Sequence, residues 1–242
     1  MKKIIPVLSL TLLLCACGGS GGDSAPAPVA APTAEGIWQG TTTSGPAVNL
    51  AILDNGETWG YYASGNVLVG ALYGTTVSSG TDLSGSGRDF SIASRTTSSG
   101  TYKGTFSAKN AISVTTSGGV SFTGKYNADY DKAATLSSIA GTFTGVGVTG
   151  TTASQSLKVN IAATGVITVP ATLACAASGT ASVRPGGKNI FDLALTFTGS
   201  SCALGNGAVT KGIAFYDAPN RQLLAMAMNT GKTDGFIFAG QQ

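Results

Sequence analysis

The chain has 242 residues, of which only 10% are charged, and it holds 35 glycines and no histidine. Without His the commonest general base near neutral pH is missing, so neither a Ser-His-Asp nor a Cys-His catalytic site can be assembled. The 14 Lys and Arg residues are dispersed rather than gathered into a stripe, which sets nucleic acid aside as a partner. No cofactor motif stands out, and a non-enzymatic protein is expected.

Met1-Lys2-Lys3 is a basic start, followed by an 11-residue apolar run over residues 4–14. That run is shorter than the roughly 20 residues of a membrane helix and fits an export signal over residues 1–16. Leu14-Cys15-Ala16-Cys17 comes next. It resembles the bacterial lipobox, with Leu14 three places before the acylated cysteine and the small Ala16 directly before it. The resemblance implies cleavage after Ala16, acylation of Cys17 with palmitate-like chains, and the lipid bilayer as a partner. Once Lys2 and Lys3 leave with the signal, twelve basic and eleven acidic residues remain, a net charge near +1. Residues 17–35 are rich in Gly, Ser, Ala and Pro and read as a flexible tether. The run Cys17-Gly18-Gly19-Ser20 is similar to the mature start of Gram-negative lipoproteins, and Gly18 in the sorting position implies delivery to the outer membrane.

From Gly36 onward the chain repeats itself at about 105 residues. Gly36-Ile37-Trp38-Gln39-Gly40 returns as Gly141-Thr142-Phe143-Thr144-Gly145. A strand, an Asn55-Gly56 turn and a second strand have their echo around Thr164-Gly165, and Asn-Gly between apolar runs is a strong hairpin signal. Gly87-Arg88-Asp89-Phe90 aligns with the run from Gly187 to Phe191, Gly104-Thr105-Phe106 with the run from Gly212 to Tyr216, and residues 120–124 with 235–240.

Eight strands are expected in each copy. In the first they fall near 36–42, 47–54, 57–63, 68–75, 88–94, 101–108, 111–116 and 120–127. In the second they fall near 141–148, 156–163, 165–170, 173–181, 189–198, 208–217, 221–229 and 234–240. Leu157, Val159 and Ile161 alternate with Lys158 and Asn160, and Phe191, Leu193, Leu195 and Phe197 alternate with Asp192, Ala194 and Thr196. Such a period of two marks half-buried antiparallel strands. The expected fold is all-β: two tandem eight-stranded antiparallel meander barrels over 36–130 and 141–242, joined by 131–140, because closure removes exposed edges. A single larger barrel or a β-sandwich is the alternative.

Four cysteines are present. With Cys15 removed and Cys17 acylated, Cys175 and Cys202 remain and are expected to form a disulfide in an oxidising compartment.

Gly36-Ile37-Trp38 at the head of an eight-stranded meander resembles the calycin barrels, the lipocalin and avidin superfamily, in which that Trp closes the barrel floor. The second copy carries Phe143 in its place. The resemblance implies a small apolar ligand in a barrel lumen. The whole layout also resembles surface lipoproteins of Gram-negative bacteria whose β-barrel lobes bind proteins. Trp59, Tyr61, Tyr62 and Tyr73 cluster in the first copy and are the candidate interface for a protein or other macromolecule, since exposed aromatics anchor interfaces. The leading expectation is therefore a lipid-anchored outer-membrane binding module for a macromolecular partner, with carriage of an apolar ligand as the alternative. Arg88-Asp89 is read as an ion pair at a hairpin edge, Asn127-x-Asp129-x-Asp131 as a solvated linker rather than a calcium loop, and Met226 and Met228 as core.

Overall fold

A computed structural model describes residues 31–65, 67–150 and 152–242. The expected export signal over residues 1–16 and the expected acylation site Cys17 lie outside the described residues. Two closed eight-stranded antiparallel barrels follow one another along the chain. The first comprises β1 (Gly36–Thr42), β2 (Ala47–Ile52), β3 (Glu57–Ser64), β4 (Val67–Ser79), β5 (Asp82–Ser91), β6 (Thr96–Ser107), β7 (Ala111–Thr116) and β8 (Ser121–Tyr126). The second comprises β9 (Gly141–Thr149), β10 (Gln155–Ile161), β11 (Val166–Thr172), β12 (Cys175–Val183), β13 (Phe191–Thr198), β14 (Val209–Asp217), β15 (Gln222–Asn229) and β16 (Gly235–Gln241). Two short 3-10 turns, Ala128–Asp131 and Leu136–Ile139, join them.

The repeat is structural as well as textual. Each barrel is zipped shut by its first and last strands, and each seam puts two glycines opposite one another, Gly40 against Gly124 and Gly145 against Gly240. A Cβ on Gly40 would overlap the Thr123 carbonyl, and one on Gly145 the Ala239 carbonyl, so the strands approach too closely there for any side chain. Gly56 and Gly165 both take a positive φ, +80° and +85°, and their carbonyls accept from Thr76 and Ala181 N–H, each at 2.7 Å.

The Asn55-Gly56 hairpin is not the two-residue turn that this pair favours. Gly56 N–H closes onto the Leu53 carbonyl at 2.9 Å, and only Gly56 is left-handed, as in a type I turn ending in a glycine bulge. The larger departure is at β4–β6. β5 starts at Asp82 rather than near 88, and β4 runs on to Ser79, because the Ser/Gly-rich run between them is paired in the ladder despite its loop-like composition. The alignment of Phe90 with Phe191 also fails: Phe90 points out of the first barrel, whereas Phe191 points into the second.

Outward faces of the two barrels pack on each other. Trp59, Phe90, Ile213, Phe215, Met226 and Met228 belong to one buried cluster between them. Met226 and Met228 thus fill a core, and it is the core of this joint. Arg184 on the second barrel bonds Asp54 on the first through Nε at 3.1 Å and Nη2 at 3.0 Å.

Candidate functional site

Period-2 alternation divides the side chains of each barrel between lumen and outside, and the two lumens differ. The first is filled by Trp38, Leu72, Phe106, Ile112, Val114 and Phe122, with other inward side chains, in one apolar cluster. Trp38 is fully buried, donates its indole N–H to the Ala34 carbonyl at 2.9 Å and meets the Tyr126 ring edge-on at 5.4 Å. A hydroxyl network crosses this lumen from Thr58 to Thr76 (2.6 Å) and from Thr76 to Tyr102 (2.8 Å).

The second barrel encloses a cavity of about 510 Å³. The shared glycines explain the contrast. Gly74 corresponds to Gly179 and Gly104 to Gly212, each with its would-be Cβ against a neighbouring backbone carbonyl. Counting from them, Leu72 corresponds to Ala177 and Phe106 to Ala214. Their partners across the ladder follow, with Ile112 opposite Phe106 and Ala225 opposite Ala214. Three large side chains are therefore alanines in the second copy, and all three alanines line the cavity. Close-packed interiors do not leave such voids by default, and the volume falls within the range of small-molecule sites.

The floor is closed. Ile139, from the second 3-10 turn, is completely buried against the end of the barrel, with Phe143 and Ile161 in the same cluster. The walls are Leu157 and Val159 of β10 and Leu193 and Leu195 of β13, on the faces their alternation predicts, together with Ile167 of β11. The polar lining consists of Thr149, Thr152, Gln155, Thr172 and Ser201, at the opposite end where β9 and β11 finish and β10 begins. Among the described residues, none that lines the cavity carries a charge. An ionised group sealed inside would lose hydration worth several kcal/mol with nothing to replace it, while each buried methylene would gain about 0.8 kcal/mol.

Cys175 and Cys202 are bonded as expected. Their place is informative: Cys175 opens β12 at the mouth, and Cys202 sits in the β13–β14 loop that also brings Ala203 and Leu204 to the cavity. The bridge holds that loop against the β11–β12 turn. Leu173, at the tip of the turn, is 74% exposed at the rim.

The predicted aromatic interface resolves differently. Trp59 is only 2% exposed, and Tyr61 and Tyr73 pack with it in the joint between the barrels. Tyr62 faces the first lumen and donates to Asp89 at 2.7 Å. The cluster is thus no exposed patch: β3 alternation sends one tyrosine in, and the neighbouring barrel covers the rest. Burial, with the Asp217 charge, pushes the Tyr61 phenol up to about 12. Arg88 and Asp89 do not pair, since neighbours on a strand face opposite ways; Arg88 Nη1 donates to the Lys232 carbonyl at 2.9 Å. Asn127 caps the first 3-10 turn by accepting from Asp129 N–H at 2.9 Å, and Asp129 pairs with Lys132 at 2.7 Å. Asp131 accepts from Lys188, Lys109 and Tyr126 at 2.6, 2.9 and 2.9 Å.

A ligand in a barrel lumen is the alternative that the sequence raises, but which lumen is hollow is not read there, although the signal is present. Aligning Gly104-Thr105-Phe106 with Gly212-Ile213-Ala214 already sets Phe against Ala. Compared with known proteins, the chain matches no family model, no curated protein and no solved structure.

Proposed function

We propose that this is a lipid-anchored envelope protein that carries a small, uncharged, apolar molecule in the lumen of its second barrel, without catalysing a reaction on it. The observation that carries the reading is the 510 Å³ cavity, closed at the floor, apolar along the walls and polar only at the mouth. The first barrel, filled with its own side chains, offers no such space. Docking of a macromolecule through Trp59, Tyr61, Tyr62 and Tyr73 loses its motivation, because those rings are occupied inside the molecule.

The test transplants the filled lumen into the hollow one. Ala177→Leu, Ala214→Phe and Ala225→Ile, singly and together, place the side chains of the first barrel at the equivalent sites. The apolar dye N-phenylnaphthylamine should bind the mature protein saturably with a rise in fluorescence. The triple variant should lose that binding while keeping its β-sheet circular dichroism. Equal binding by the folded triple variant, or no saturable binding by the parent, would overturn the proposal.

A further inference from the structure

The inward face of β14 carries Thr210, wholly buried, with an Oγ1 that finds no hydrogen-bond partner. A buried hydroxyl left unpaired is uncommon and costly, so it calls for a reason. Its counterpart in the first barrel, counted from Gly104 and Gly212, is Tyr102, whose hydroxyl bonds Thr76 Oγ1 at 2.8 Å and the Thr75 carbonyl at 2.9 Å. In the second barrel the corresponding network is dismantled, since Thr58 and Thr76, counted from Gly56 and Gly74, become Ile167 and Ala181. Only the threonine hydroxyl survives.

Thr210 stands directly across the ladder from Leu195, which lines the cavity. Such neighbours hold their Cβ atoms about 5 Å apart. Thr210 is not itself on the cavity lining, whereas the rings of Phe197 and Phe236 are. Phe197 on β13 and Phe236 on β16 meet edge to face at 5.7 Å, spanning the two strands, β14 and β15, that lie between them. Those two strands carry the inward-facing Thr210 and Ala227, at 0% and 1% exposure.

We propose that Thr210 is the polar anchor of the ligand, reached when the Phe197–Phe236 pair parts, and that the ligand is an apolar molecule bearing one uncharged hydrogen-bond acceptor, such as a ketone or ester. This rests on the reading of the second lumen as a carrier. The hydroxyl donates to the acceptor and gains the partner it lacks in the empty barrel. A carboxylate is disfavoured because, among the described residues, no cation lines the cavity, and a plain hydrocarbon leaves the hydroxyl unpaired.

Dodecane, dodecanone and dodecanoate, competed against bound N-phenylnaphthylamine on the mature protein, test the assignment. Thr210→Val keeps the shape and removes the hydroxyl; it should weaken dodecanone about tenfold, leave dodecane unchanged and raise the melting temperature of the empty protein. Thr210→Ser should retain dodecanone binding. In the parent, the carbonyl infrared band of bound dodecanone should shift to lower frequency, which reads the hydrogen bond without any variant. An unshifted band, equal dodecanone affinity in Thr210→Val, or dodecanoate binding most tightly would overturn the anchor while leaving the carrier intact. If the dye binds and none of the three displaces it, the anchor falls; if the dye itself fails to bind saturably, the carrier falls with it.

Discussion

Lys232, on the β15–β16 turn of the second barrel, holds its ammonium 4.5 Å from the centre of the Tyr73 ring on β4 of the first and 5.2 Å from that of Trp59. The two rings meet edge-on at 4.7 Å, and Glu57 stands 3.9 Å from the same ammonium. A turn of one barrel is thus clasped by an aromatic and acidic corner of the other.

Removing the clasp should loosen the joint without opening either barrel. Lys232→Ala should cost about 1 kcal/mol, in the range of a partly desolvated cation–π contact. Trp59→Ala, which empties the centre of the joint, should cost about 3–5 kcal/mol. Urea unfolding followed by circular dichroism reads both, and a Trp59→Ala cost below that of Lys232→Ala would contradict the packing described.

The seam glycines make a sharper prediction. Gly145→Val forces a side chain into the Ala239 carbonyl and should prevent β9 from pairing with β16, so the second barrel should not close. Gly150→Ala, whose new Cβ meets only the Asp234 carboxylate, should be far milder. Protease resistance of the purified protein separates the two.

Reducing Cys175–Cys202 frees a loop with a sequence separation of 27. The expected loss is about 3–4 kcal/mol in the chain-entropy picture, together with faster escape of bound dye, because the bridge holds the β13–β14 loop over the mouth. Stopped-flow dilution of dye-loaded Cys175→Ser/Cys202→Ser protein should show the faster release. An unchanged release rate would mean that the loop does not limit exit.

Acid should act through Asp131. Burial works to raise its carboxyl, but hydrogen bonds from Lys188, Lys109 and Tyr126 outweigh it and hold the pKa at about 2, against 3.8 unperturbed. A depressed carboxylate stabilises the fold above its unfolded pKa and loses that contribution as pH falls through the folded one. Stability should therefore decline between about pH 4 and pH 2, and Asp131→Asn should flatten that part of the profile. An identical slope in the variant would place the acid sensitivity elsewhere.

The all-β fold, the repeat, the strand count and the disulfide could all be read from residues alone, because each rests on local signals: alternation in Leu157 to Ile161, the recurring glycines, two leftover cysteines. Strand limits at β4–β6 could not, because Ser and Gly enter a ladder when neighbouring strands supply hydrogen bonds, whatever their own propensity. The function of the aromatic cluster was also hidden: alternation tells which way Trp59 and Tyr62 point, and only the second barrel's position tells that Trp59 is covered.

What the sequence by itself determined is the duplicated all-β meander, since period-2 patterning is local to each strand. Closure into two separate barrels rests instead on seam pairs such as Gly40 with Gly124, which lie far apart in the chain. What tertiary structure alone decided is which lumen is full. That depends on the summed volume of side chains arriving from eight strands, and three alanines spread over β12, β14 and β15 become one cavity only when the barrel brings them to the same wall.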